Sequence, residues 1–214
     1  MCWKRLANRL AIAGLAMTIA APALSFEEQA DEFWPCVQRK VPQLSLPQIW
    51  NGPELPEAAE NWQEDPEVSA LVTEVAQRRV PLEEAQQQIR DFAGQVSEDK
   101  REERLFKLVR GLFEHMDSER SEVMAGIERY TRKQVRMADA LRQQTDAVDQ
   151  LRKDPEADPQ AVAERVRQLD FQTRVYQERA QSLTYVCEVP TLIEQRLYRL
   201  ANTVATLLTP SNGG

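Results

Sequence analysis

Gln150-Leu151-Arg152-Lys153-Asp154-Pro155-Glu156-Ala157-Asp158-Pro159-Gln160-Ala161-Val162 is the stretch on which this chain turns back on itself. Two prolines four residues apart, set among three acids, interrupt sequence that is otherwise rich in helix formers. Asp158 is placed as an N-cap and Pro159 as the first helical residue, where a missing N–H costs nothing. Upstream, Glu98 to Lys153 holds no proline, and Ser97 is placed as its N-cap. One helix over that span is about 84 Å long. Gly111 and Gly126 weaken it by roughly 1 kcal/mol each relative to Ala. Asp117-Ser118 offers an alternative start that would break it in two; continuity is the preferred reading. Downstream, a helix runs from Pro159 to about Leu208, with Pro190 as an internal kink.

The two long segments carry matching heptads. Val162, Leu169, Tyr176, Leu183, Pro190, Leu197 and Val204 recur every seven residues, with Val166, Thr173, Ala180 and Cys187 as the companion row. The earlier helix answers with Met116, Val123, Tyr130, Met137, Gln144 and Leu151, and with Arg120, Ile127, Gln134, Leu141 and Val148. This is the 3-4 spacing of a coiled-coil seam with polar gaps. A short turn makes the helices antiparallel neighbours. Centring it near Glu156 sets Met137 level with Tyr176, Tyr130 with Leu183, and Cys187 with Gly126, whose small size is expected to admit the strap.

Two shorter helices precede the hairpin. Asp65-Pro66 opens one with the stripe Val68, Leu71, Val72 and Val75, ending near Arg79; Pro81 opens the other, with Leu82, Ala85, Ile89 and Phe92, ending near Val96. They are expected to pack at the hairpin's open end, against 98–120 and 190–208. Residues 127–186 then project as a two-helix stalk. The fold class is all-α: a long antiparallel helical hairpin, two shorter helices at its open end, and an extended N-terminal strap.

The strap is residues 26–65, with Pro35, Pro42, Pro47, Pro53, Pro56 and the tryptophans Trp34, Trp50 and Trp62. Proline at that density prevents a long helix. Regular apolar anchors such as Val41, Leu44 and Ile49 argue for order over the helical body. The domain reading is a leader over 1–25, the strap over 26–65, the bundle with its hairpin (turn 154–159) over 66–209, and a flexible tail over 210–214.

Lys4, Arg5 and Arg9 precede an apolar run from Leu10 to Ala21 and the small-residue exit Ala21-Pro22-Ala23-Leu24-Ser25. This is the pattern of a cleaved secretory signal, with cleavage expected after Ser25. The apolar run is too short for a spanning helix, which needs about 20 residues. Removing 1–25 takes away three basic residues and no acid, so 24 basic side chains face 34 acidic ones, a formal charge of −10. Such a surface argues against nucleic acid and anionic lipid. The expected location is periplasmic, or secreted from a single-membrane cell. There Cys36 and Cys187, the two cysteines outside the leader, are expected to form one disulfide.

Catalytic chemistry finds little footing. The single histidine, His115, has Glu119 one turn on but no nucleophile motif. Asp154, Glu156 and Asp158 resemble a calcium loop but lack its glycine, and Arg165 stands where its last glutamate belongs. The acids Glu54, Glu57, Glu60, Glu64, Asp65 and Glu67 have no informative spacing. No catalytic residue, metal ligand set or cofactor is assigned. The functional expectation is a non-enzymatic, exported adaptor, chaperone-like or structural envelope protein that binds another protein or itself. Trp34, Trp50 and Trp62 are its candidate interaction residues, the competing reading being that they staple the strap to the helices by burial, and Met116, Met124 and Met137 would add adaptability to its surface. Alternatives are an enzyme or enzyme subunit acting on cell-wall material through an acidic residue, and a small-molecule or metal-sensing module using His115.

Overall fold

Residues 33–209 are described by a computed structural model. The leader 1–25, the first residues of the strap and the tail 210–214 lie outside the described residues. The α-helices are α1 (Leu46–Ile49), α2 (Pro66–Ala76), α3 (Leu82–Gln95), α4 (Glu98–Lys153), α5 (Pro159–Val186) and α6 (Val189–Leu208), with a 3-10 helix at Glu57–Glu64. No strand occurs among the described residues. None of these helices is long and apolar enough to cross a membrane.

The long helix is unbroken: α4 runs through Asp117-Ser118 for 56 residues. Ser97 stands at its N-cap position, but its side chain accepts no backbone N–H there; its hydroxyl donates to the Asp99 carboxylate instead, which helps hold Asp99 below the usual carboxylate range. At the hairpin turn, Asp154 Oδ1 accepts from Glu156 N at 2.9 Å and Asp158 Oδ1 from Gln160 N at 3.0 Å. These carboxylates satisfy backbone donors that a turn and a helix start leave open.

The returning segment is two helices rather than one kinked helix. α5 ends at Val186 and α6 starts at Val189, although Cys187 and Glu188 keep helical dihedrals. The cause is Pro190, which lacks a backbone donor and crowds the carbonyl of Val186 four residues back.

α2 also stops three residues early, at Ala76. The Gln77 side chain donates to Thr73 O at 3.0 Å, standing in for the next helical bond. Arg196 on α6 donates twice to Val75 O, at 3.1 and 2.7 Å, so a cation from a neighbouring helix closes the α2 carbonyl end. Burial lowers the Arg196 pKa from its ordinary value, and the charge of Glu119 works against that. At the other end of α2, Asp65 accepts from Glu67 N and Val68 N.

α2, α3, the first half of α4 and α6 enclose the core. Leu108, Leu112, Met116, Ile193, Leu197 and Leu200 have no solvent exposure, nor do Val68, Val72, Ala85 and Ile89. The strap differs from a simple extended arm by its two helical turns, α1 and the 3-10 helix. Both feed the core: Ile49 and Trp50 follow from the first, Ala59 and Trp62 from the second. Gly111 makes the second contact possible. A Cβ there would lie 2.8 Å from the Trp62 ring and from Val72 Cγ2, closer than packed atoms tolerate.

Candidate interaction site on the helical hairpin

Where the strap meets the hairpin, Cys36 and Cys187 form a disulfide with their Cα atoms 5.4 Å apart. The bridge closes a loop of about 150 residues, for which chain entropy gives on the order of 5 kcal/mol. No residue from Phe33 to Ser45 is buried; here the strap is held by the bridge and by polar contacts, with Leu44 packed part-buried against the core. Lys40 pairs with Glu128. Leu44 N donates to Asp117 Oδ1 at 3.3 Å. The Arg132 guanidinium lies over the Phe33 ring, 5.1 Å from its centroid.

Arg120, a seam residue, is 2 % exposed. Its Nε donates to Glu194 Oε1 at 2.5 Å and its Nη2 to Val41 O at 2.6 Å. A buried guanidinium needs such partners, and these join α4, α6 and the strap at one point. Arg120 Nη1 and Gln134 Nε2 are buried donors without a protein partner among the described residues. Both belong to the polar gaps of the predicted seam.

Beside the disulfide lies an open groove of about 570 Å³, lined in part by Val37, Gln134, Val135, Ala138, Ala180 and Leu183. The room does not come from Gly126, as the sequence suggested: a Cβ on Gly126 meets only Arg129 Nη2, at 3.8 Å. Strap residues Pro35 to Gln38 instead line this groove together with Thr131, Gln134 and Val135, and with the small side chains of Ala138 and Ala180.

Beyond the groove, α4 and α5 form the stalk. α5 buries none of its residues. On the α4 side the buried row is Ile127, Gln134 and Val148, the companion row of the heptad. The two helices are in the expected register to within a turn: Tyr130 Oη donates to Arg179 O at 3.4 Å, and Arg179 Nη1 approaches Met137 Sδ at 3.8 Å. Away from the seam, Phe171 is 65 % exposed, Tyr185 76 % and Leu192 51 %. These three share one heptad position outside both seam rows. Sequence reasoning missed them, although the spacings of fourteen and seven were there to see.

The tryptophans take core places instead. Trp50 and Trp62 are buried, which leaves neither with a face for a partner. Trp50 Nε1 donates to Pro53 O at 2.6 Å, and Gly52 accommodates its ring. Trp62 Nε1 donates to Glu114 Oε2 at 2.8 Å. Trp34 is half-buried and donates to Gln38 O at 2.7 Å, within its own segment. Met116 and Met124 are buried as well, so only Met137 of the three methionines reaches the surface.

His115 is exposed. Glu119, one turn on, pairs with Arg78 at 3.2 Å, and Glu114 is engaged by Trp62 and Arg110. No group of three or more potential metal ligands occurs among the described residues. Within the acidic cluster, burial works to raise the Asp65 pKa, but Arg104 and the N–H groups of Val68 and Glu67 outweigh it and hold Asp65 below the usual range. Arg104 grips both oxygens, Nε to Oδ2 and Nη2 to Oδ1, each at 2.8 Å. That is a structural ion pair, opposite in direction to the raised carboxyl a general acid requires.

No protein-family model matches this chain, and neither the curated proteins nor the solved structures include one of significant similarity to it.

Proposed function

We propose that this is an exported, non-enzymatic helical protein that works by binding another protein through its hairpin, as an adaptor, chaperone-like or structural component of the cell envelope. It acts in the periplasm, or outside a cell with one membrane. The observation that carries this reading is the stalk: a helix, α5, that buries none of its residues. Such a helix adds nothing to the core of the body, and its outward apolar side chains face water unless a partner covers them. The disulfide at the stalk's base supports the reading by fixing the hairpin's exit from the body, and it accords with an oxidising compartment. The leader-like composition of residues 1–25 supports export independently.

A photoreactive residue at Gln150, near the stalk tip, and another at Glu83, on the body, test this in the native host. The expected result is a reproducible adduct from Gln150 to one envelope protein, with its contact peptides identified, and none from Glu83. Adducts from Glu83 alone, or from neither position, would overturn the proposal.

A further inference from the structure

We infer that one flank of the stalk seats an acidic helix of a partner protein, laid along the groove between α4 and α5. The inference deepens the binding reading above and rests on it. An antiparallel seam has two flanks, each edged by two outer heptad rows from either helix. The groove beside the disulfide marks one flank, through Thr131, Val135 and Thr184. A second cavity, near the hairpin turn, marks the other, through Ala147, Gln150, Arg165 and Gln168.

Charge is divided unequally between the two. Over residues 126–153 and 159–186, the outer rows of the disulfide flank hold four basic and three acidic side chains. Three of those cations are paired: Arg142 with Asp139, Arg152 with Asp149 and Arg167 with Glu164. The outer rows of the opposite flank hold five basic side chains, Arg129, Lys133, Arg136, Arg165 and Arg179, and no acidic one. None of the five makes an ion pair among the described residues. Arg129, Lys133 and Arg136 are exposed and line up on one face of α4, being four and three residues apart. Arg179 reaches across from α5, its Nη1 lying 3.8 Å from Met137 Sδ, which sets its charge beside theirs. Arg129 with Lys133, and Arg132 with Arg136, are like charges four residues apart, an arrangement that destabilises a helix. The stalk keeps this repulsion where it has little buried core to offset it.

The shape of the flank selects a helix as the occupant. Toward the turn the α4 rows continue with Ala140, Gln143 and Ala147, small or uncharged side chains that let a third helix approach. They end at the second cavity, of about 560 Å³, lined in part by Val148, 4 % exposed, and Leu151, 37 % exposed. From Lys133 to Val148, α4 rises about 22 Å. The partner helix accordingly sets carboxylates on successive turns against the four clustered cations and, about 22 Å further on, an apolar side chain into the cavity. A flat anionic bilayer fits less well, because it would also meet the neighbouring outward row of α5, where Glu164 and Glu178 are exposed and repel its headgroups.

The test places a photoreactive residue in the full chain in its native host, at Ala140 on this flank and at Thr145 on the other; both positions are exposed. Ala140 is expected to give an adduct whose partner peptide carries Asp or Glu at helical spacing, and Thr145 to give none. Lys133→Glu/Arg136→Glu is expected to cut the Ala140 adduct at least about tenfold. Its thermal unfolding midpoint is expected not to fall, because both changes turn like-charge pairs into opposite ones. Arg152→Glu/Arg167→Glu, an equal change of charge on the other flank, is expected to leave the adduct within about twofold. An adduct from Thr145 in place of Ala140, a contact peptide without acidic residues, or an Ala140 adduct that survives Lys133→Glu/Arg136→Glu would each overturn the inference. So would the absence of an Ala140 adduct together with cosedimentation of the purified protein with phosphatidylglycerol–phosphatidylcholine vesicles that Lys133→Glu/Arg136→Glu abolishes. A Gln150 adduct obtained alongside any of these leaves the binding reading intact; no adduct from Ala140, Thr145 or Gln150 removes both.

Discussion

The body and the stalk are made of the same helix and owe their order to different things. α4 passes through both without a break, so intrinsic propensity does not distinguish them. In the body, α4 is surrounded by α2, the 3-10 helix and α6, and residues such as Leu108 and Leu112 are fully buried. In the stalk it packs along α5, and even the seam residues Leu169, Tyr176 and Leu183 stay half exposed. A helix with one neighbour gains a fraction of the apolar burial that a helix with three gains. Stability is therefore concentrated in one region, and accessible surface in the other.

The largest expected effect contrasts the two directly. Leu108→Ala removes a fully buried side chain and should cost about 3 kcal/mol. Leu169→Ala removes a half-buried one and should cost about 1 kcal/mol or less. Urea unfolding of both variants measures this. Hydrogen exchange should place the Leu169→Ala effect in the stalk, as local opening. Equal losses would mean that the stalk shares the body's cooperative core.

Asp65 comes next, because it fastens α2 to α4 in the body through a two-oxygen grip by Arg104. Its native pKa lies below the ordinary 3.8, so its contribution is fully present at neutral pH. As pH falls below the ordinary value, the unfolded chain takes up a proton that the native state refuses, and stability declines. The contribution is gone below the native value. Asn caps a helix as well as Asp, so Asp65→Asn isolates the ion pair with Arg104. The expected cost is about 1 kcal/mol at neutral pH, with a flatter loss of stability below pH about 4. An unchanged acid profile would show that the Arg104 contact contributes no stability.

The hairpin was the most legible part of the sequence because local chemistry encodes it. Asp158-Pro159 caps a helix wherever it occurs, and heptad spacing placed Arg120, Ile127, Gln134 and Val148 in one row before their burial was known. The pairing of Cys36 with Cys187 was legible because no other choice remained once the leader was set aside. What escaped depends on neighbours that are distant in sequence. Which of the tryptophans staple the strap and which stay exposed was not legible, since nothing in the segment of Trp50 and Trp62 reveals Gly111 or the α4 surface beneath them. The early end of α2 depends on Arg196, 121 residues away. The outward stripe of Phe171, Tyr185 and Leu192 shares a heptad position but lies outside both seam rows, so the seam pattern does not point to it.

The two glycines of α4 give the smallest effect and the sharpest contrast, because it should change sign. Gly126 lies near the start of the stalk, where an added Cβ makes only an ordinary contact at 3.8 Å. Gly126→Ala should therefore stabilise by about 0.5 to 1 kcal/mol through helix propensity alone. Gly111→Ala gains the same propensity but drives its Cβ to 2.8 Å from Trp62 and Val72. Trp62 is pinned by its bond to Glu114 and Val72 is fully buried, so neither can move cheaply. Overpacking of that kind costs about 1 to 3 kcal/mol, which leaves Gly111→Ala net destabilising. Thermal unfolding of the two variants decides the matter: shifts of the same sign would mean that the body yields around Trp62 as readily as the stalk yields to solvent.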